Sequence, residues 1–350
     1  LILAAGLLAG MFLTACSDSD EPEGLSGDWL IPINDVKDGG PGKDGIPALT
    51  EPDLIPVSAV DFLEDDDLVI GLREGAVVRA YPHAILDWHE IINDNINGKP
   101  VAITYCPLTG TALGWDRMVN GTLTTFGVSG LLFNTNLLPY DRATDSHWSQ
   151  MRLECVNGPL IGQKIKTYQL VETTWATWRQ MYPQSMVVST NTGISRPYEQ
   201  YPYGDYITNN NRLLFPVNPV DERLPQKERV HGVVVGEAVT TYSINLFNDS
   251  VRLIEDRIGD RDVMVAGSRA ANFVASFHAQ LANDSTMLEF RPVQDALPVI
   301  LTDNEGNQWD VFGYATEGPR QGQRLVPNDH AYMGYWFSWG AFHPQANIFQ

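Results

Sequence analysis

The chain has 350 residues, 43% of them hydrophobic and 19% charged, with a formal net charge of −20 and a pI near 4.6. This is globular composition, with apolar mass for one large core or two smaller ones. So acidic a surface repels phosphate backbones, which argues against nucleic acid as a partner, and it suits a soluble secreted protein.

Residues 1–15, LILAAGLLAGMFLTA, carry no charge and have the length and character of a signal-peptide core, too short to span a membrane and remain there. No basic region precedes them, so a further N-terminal stretch is expected. They end in Leu13-Thr14-Ala15-Cys16, which resembles a bacterial lipobox and implies lipidation, with palmitate among the acyl groups, at Cys16. Residues 16–35 then form a lipid anchor and a flexible tether, with almost no apolar content in SDSDEPEGLSG. The expected location is the cell envelope, lipid-anchored to a membrane. Ser17 after the cysteine favours the periplasmic face of the outer membrane over the inner membrane. No later apolar run reaches the roughly 18 residues of a transmembrane helix.

Downstream, the Asp- and Gly-rich segment Asp35 to Gly45 lacks the spacing of an EF-hand calcium loop and reads as a turn. Glu64-Asp65-Asp66-Asp67 reads as a solvated turn. A hairpin follows: LVIGL, the turn Arg73-Glu74-Gly75, then AVVRAY. A short helix is expected from His83 to Ile92, and Asn97-Gly98 makes a tight turn into a strand over Val101–Tyr105. A second hairpin is expected from ALGWDRM through Asn120-Gly121 to TLTTFGV. Further strands lead to Lys164–Val171, and a helix from Thr174 to Tyr182 stops at Pro183.

The same layout recurs at an offset of about 161. Gly71…Tyr81 corresponds to Gly232…Tyr242, and Trp148 to Trp309. Trp175-x-x-Trp178-x-x-x-Tyr182-Pro183 corresponds to Trp336-x-x-Trp339-x-x-x-His343-Pro344. Gly158-Pro159-x-x-Gly162-Gln163 corresponds to Gly318-Pro319-x-x-Gly322-Gln323. The expected fold is therefore α+β, mainly antiparallel β with a few short helices, in two tandem homologous halves. The first half spans residues 36–200 and the second, a degenerate copy, 220–350. A Tyr/Pro/Asn-rich linker at 201–219 joins them. Tryptophans spaced i, i+3 on one helix face in both halves are expected to be core.

Reactive residues are concentrated in the first half. His89-Glu90 faces Ser250-Val251 in the repeat alignment, Asn93-Asp94 faces Ile254-Glu255, Cys106 falls near Ser268, and His147 opposes Gln308. The segments that carry them are Gly39-Gly40-Pro41…Asp44-Gly45-Ile46-Pro47-Ala48, Tyr81-Pro82…His89-Glu90…Asn93-Asp94 and Tyr105-Cys106-Pro107-Leu108-Thr109-Gly110. Phe126-Gly127…Ser129-Gly130 and Asp141…Thr144…Ser146…Trp148…Gln150 complete the set. Together they resemble a bacterial family catalogued as domain of unknown function 3179, over roughly residues 36–350. The resemblance implies no particular activity. Many members carry a second cysteine where this chain has Thr109, so a Cys-x-x-Cys chemistry does not transfer.

Three readings of this pole stay open. The first is a module binding a small molecule or protein partner, with Asp44, Asn93, Asp94, Ser129, Asp141, Thr144 and Gln150 as candidate contacts. The second is a transition-metal site, copper or zinc, held by His89, Glu90, Cys106 and His147, with His83 or Asp87 in support. His89-Glu90-x-x-Asn93 lacks the second histidine of a zinc-protease helix. The third is an enzyme with Cys106 as nucleophile, His89 as base, Glu90 or Asp94 orienting the imidazole, and Ser129 as rival nucleophile. An isolated His and Cys in core-forming segments are ordinarily structural, which favours the first. Cys106 and Cys155 can also pair in an oxidising envelope.

Overall fold

The computed structural model describes residues 27–281, 286, 288–328 and 330–350. The signal peptide, Cys16 and the start of the tether lie outside the described residues. The class is α+β as expected, with antiparallel strands dominant and three short helices among the described residues: α1, His83–His89; α2, Trp175–Met181; and α3, Trp336–Phe342. None is long and apolar enough to cross a membrane.

The first hairpin forms where alternation predicts it. Leu68–Glu74 pairs antiparallel with Val77–Pro82 around Gly75, whose φ of 59° suits glycine. Val171–Thr174 joins one side, and Met186–Val188 then Leu54–Pro56 the other. In the second half Ala331–Tyr335, Arg229–Val235, Ala238–Ser243 and Asn347–Ile348 stand in the same order. The registers agree as well: Gly71 faces Ala80 and Val171, while Gly232 faces Thr241 and Tyr332. We call these the hairpin sheets. A body sheet accompanies each. Thr167–Tyr168, Thr111–Asp116, Lys99–Cys106, Ile91–Ile96 and Leu49–Thr50 form the first; Leu325–Pro327, Phe273–Leu281, Arg261–Ser268 and Arg252–Ile258 form the second. A third sheet in each half carries Trp148 or Trp309 on its His147–Ser149 or Gln308–Asp310 strand.

Two local expectations need correction. The helix expected to reach Ile92 ends at His89. Glu90 adopts a φ of +56°, its N–H closes the last turn onto the Leu86 carbonyl at 2.7 Å, and β-branched Ile91-Ile92 continue as a strand. The Asn120-Gly121 turn joins only the two-residue strands Met118–Val119 and Thr122–Leu123. The chain from Phe126 to Phe133 leaves for the third sheet instead of completing the hairpin.

The cores are built reciprocally. Val69, Val171, Trp175 and Trp178 of the first hairpin sheet and α2 pack with Met264, Phe277, Leu301, Trp309 and Phe312 of the second half. Val230, Tyr332, Trp336 and Trp339 pack with Ala102, Leu113, Trp115, Phe126 and Trp148 of the first half. Buried polar ties follow the same pattern. Arg73 and the Tyr182 hydroxyl donate to Asp310, Arg229 donates to Glu172, and the Tyr335 N–H donates to the Thr109 carbonyl at 2.8 Å.

The hairpin glycines make the packing possible. A Cβ at Gly71 would lie 2.1 Å from the Trp178 ring, and one at Gly232 would lie 2.3 Å from the Trp339 ring. Both rings are fully buried and cannot retreat. Gly71→Ala and Gly232→Ala should each lower the urea unfolding free energy by about 1–3 kcal/mol through overpacking, despite alanine's better strand propensity. An unchanged midpoint in either variant would contradict this packing.

Candidate functional site

The short helix α1 follows Pro82, whose fixed φ suits a helix start. Its sequence HAILDWH sends Ile85 and Leu86 into the core, and Asp87 and Glu90 lie three residues apart at its C-terminal end. The left-handed turn at Glu90 lays its carbonyl against the Tyr105 N–H at 2.7 Å. That bond sets Glu90 beside Cys106, the last residue of the strand Lys99–Cys106. The Cys106 carbonyl accepts from the Gly110 N–H at 2.9 Å, closing the Pro107-Leu108-Thr109-Gly110 turn, and its thiol points at the Thr135 carbonyl, 3.6 Å away.

A strap formed by residues 196–206 covers this end of the helix, and Trp88 and His89 of α1 hold it. Trp88 Nε1 donates to the Gln200 carbonyl at 3.1 Å. His89 Nδ1 donates to the Pro47 carbonyl at 2.7 Å, so its Nε2 accepts from the Tyr198 hydroxyl at 2.7 Å. The Tyr203 hydroxyl reaches Glu90 Oε1 at 3.5 Å, and the rings of Tyr201 and Tyr203 lie 5.5 Å apart. The Tyr206 hydroxyl donates to the Leu108 carbonyl at 2.8 Å. Lys227 secures the far end of the strap: its ammonium caps the carbonyls of Tyr206, Asn209 and Arg212 and lies 3.5 Å over the Tyr206 ring.

Desolvation governs the electrostatics here. Burial raises the Glu90 carboxyl to about 8. Burial, then Glu90, then Asp67 hold Asp87 well above the carboxylate range. Burial and the neighbouring Glu90 push the Cys106 thiol up to about 11. No described cation pairs with Asp87 or Glu90, and Asp87 Oδ1 is buried without a hydrogen bond, as is the Tyr201 hydroxyl. Buried carboxyls elsewhere are compensated. Arg79 and Tyr81 hold Asp94; Arg73 and Tyr182 hold Asp310. For Glu172, burial is outweighed by Arg229 and His83, which hold it down to about 2.

The other sequence candidates are placed in structural networks. Asn93 staples three strands, donating to the Leu49 and Phe126 carbonyls and accepting the Phe126 N–H. Asp44 accepts from Tyr140 and Arg142. Ser129 donates to the Leu138 carbonyl at an irregular strand pairing. Asp141 accepts from Thr144 and from Trp148 Nε1 at 3.1 Å, and Asp303 holds Trp309 Nε1 at 2.9 Å in the second half. Gln150 accepts from Thr111 and Asn136 and donates to Thr104, in a fully buried polar network that also includes Thr109.

The proposed metal ligands do not converge. His147 bonds Asn157 at 3.2 Å, both nitrogens of His89 are engaged away from Cys106, and among the described residues no group of three or more His, Cys, Asp or Glu side chains is arranged to hold a metal ion. The same engagement means that His89 does not face Cys106 as a base. Cys106 and Cys155 are buried free thiols. Sequence reasoning passed over the strap tyrosines 198, 201 and 203. Their aromatic density within a turn-rich stretch was the available signal.

Among the described residues the second half has no counterpart of this pole. A single 3₁₀ turn, Ile244–Leu246, replaces α1, and Ser268, the counterpart of Cys106 at its strand end, donates to the Asp249 carbonyl. Residues 43–346 match the family described as "Protein of unknown function (DUF3179)", and the chain belongs to that family. No curated protein and no solved structure matches it.

A carboxyl whose folded-state pKa is raised contributes stability below its unfolded value, and that contribution is lost as pH rises through the folded value. For Glu90 the window runs from 4.5 to about 8. Glu90 is faced by Asp87 of its own helix, Cys106 of the adjacent strand and Tyr203 of the strap. Glu90→Gln should therefore gain on the wild type as pH rises, by on the order of 3 kcal/mol at pH 9 relative to pH 4.5 in urea unfolding. A difference that does not change with pH would refute this protonation.

Proposed function

We propose that this member of the DUF3179 family is a ligand-binding protein of the bacterial cell envelope, carried on a lipid at Cys16. Its recognition pole is the Asp87–Glu90–Cys106 cluster beneath the 196–206 strap. The observation that carries the reading is a pair of carboxyls without a cation, Glu90 buried and Asp87 half-buried with its Oδ1 shut off and unbonded, where the buried carboxyls of Asp94, Glu172 and Asp310 have guanidinium partners. Buried polar groups left unpaired cost stability, and such groups gathered beneath one surface strap mark a place where a ligand supplies the missing bonds. A surface groove lined by Phe62, Arg196, Tyr198 and Gln200 borders the strap and offers an approach. A nucleophilic role for Cys106 has less support, because its thiol stays protonated at neutral pH and His89 is bound elsewhere. The envelope location is supported by the lipobox-like Leu13-Thr14-Ala15-Cys16.

Two measurements test this. Native mass spectrometry of the protein extracted from membranes should show a small molecule retained by the wild type and lost from the Asp87→Asn/Glu90→Gln double variant. A protein that carries nothing, takes up nothing from an envelope metabolite extract, and shows the same Cys106 alkylation rate with and without that extract would overturn the binding role. For the anchor, Cys16→Ala should abolish palmitate incorporation and shift the protein out of the membrane fraction. Continued labelling of the variant would remove Cys16 as the anchor.

A further inference from the structure

We infer that the ligand is a small organic cation bearing N–H groups, a primary ammonium or a guanidinium, seated between the carboxyls of Asp87 and Glu90 and the rings of Tyr201 and Tyr203. This rests on the binding role proposed above and gives its ligand a chemistry. The argument starts from the bonds that are missing. Asp87 Oδ1 is buried with no donor, and the closest side-chain donor to Glu90 is the Tyr203 hydroxyl at 3.5 Å, beyond a normal bond. Both atoms are acceptors once ionised, so the ligand must bring donors and positive charge together. Burial disfavours ionising either carboxyl, so an ionised one needs a compensating charge here, which a neutral molecule does not bring and an anion opposes. A quaternary ammonium supplies charge but no donor. Metal ions lack a third ligating side chain of the His, Cys, Asp or Glu kind among the described residues.

The surrounding groups suit the same chemistry. Tyr201 and Tyr203 present two rings 5.5 Å apart at 59°, which can flank a cation, and the unpaired Tyr201 hydroxyl is an additional acceptor. The strap already holds one such cation: the Lys227 ammonium lies over the Tyr206 ring and is bound by three carbonyls. Asp67, within electrostatic range of Asp87, continues the acidic line from the buried pair toward the surface, and the net charge of −20 raises the local concentration of cations. On binding, one ammonium or guanidinium group enters and one carboxyl proton leaves to solvent, which preserves the charge of the site.

The test is calorimetric titration of the full protein with putrescine, a primary diammonium, and with choline, a quaternary ammonium of comparable size. Putrescine should bind, choline should bind at least roughly tenfold more weakly, and Glu90→Gln and Asp87→Asn should each weaken putrescine by roughly 30-fold or more, as expected for removing one partner of a buried charge pair. Tyr201→Phe, which keeps the ring, should weaken it by several-fold. Glu90→Gln is the informative variant, because it relieves a buried acid and does not threaten folding. Putrescine affinity equal in wild type and both acid variants, or choline binding as well as putrescine, would overturn the assignment. A neutral or anionic molecule retained by the wild type and lost from the double variant would also overturn it while leaving the binding role standing. Absence of any retained molecule would remove both.

Discussion

A tryptophan ring laid flat against a hairpin glycine recurs on both sides of this molecule, and the rest of the architecture follows from it. Trp178 covers Gly71 and Trp339 covers Gly232 at distances that leave no space for a Cβ. Each ring projects from the middle of a seven-residue helix too short to be stable alone, so the helix exists because its aromatic face is buried. The core that buries α2 draws its other wall from the second half, and the core that buries α3 draws its wall from the first. The two halves therefore cannot be separated without opening both cores. The ion pairs Arg73–Asp310 and Arg229–Glu172 fix the same relationship electrostatically, each carboxyl in one half held by a guanidinium from the other. A frame locked this tightly can hold an unfavourable site in one place.

That site occupies the position where the two halves differ. Strand order and registers agree closely, down to the Gly-Pro turns, where the Gly162 and Gly322 N–H groups bond the Cys155 and Ala315 carbonyls alike. The departure is α1, which takes the place of a single 3₁₀ turn, together with the strap that α1 grips. Beneath Cys106, the buried network of Thr104, Thr109, Thr111, Asn136 and Gln150 is closed on itself, each amide and hydroxyl meeting another. It stiffens the floor of the pole. The unbonded Asp87 Oδ1 and Tyr201 hydroxyl belong instead to α1 and the strap.

The frame was legible in the sequence because it rests on local periodicity and repetition. The hairpin around Gly75, the i, i+3 tryptophans and the Gly-Pro-x-x-Gly-Gln turns all announced themselves by spacing. The end of α1 was not legible, since Glu90 adopts a left-handed conformation that a non-glycine residue takes only when tertiary contacts hold it. His89 resembled a base because it is close in sequence to Glu90, but its bonds run to Pro47 and Tyr198, 42 and 109 positions away. Tyr201 and Tyr203 belonged to a stretch whose tyrosines, prolines and asparagines read as a connection. The contact of Tyr203 with Glu90 spans 113 positions and no local pattern encodes it. Candidate site residues stood out in the sequence where its two similar stretches differ, and were missed in the segment between those stretches.

The second half also bears on why the acids are there. At the positions matching Asp87 and Glu90 it carries Asn248 and Val251, and Val251 is packed into a core. The same strand arrangement thus stands with an amide and an aliphatic side chain at these two points. Buried carboxyls without partners lower stability, and replacing buried ionisable groups with apolar ones of similar size is commonly neutral or favourable. Folding therefore supplies no reason for Asp87 and Glu90. Nor do they act as the reciprocal ion pairs do, because no guanidinium from the other half reaches them. Two acids without a cation, placed beside a protonated thiol and beneath a strap that Trp88 and His89 hold, are the groups on which the proposed binding role rests.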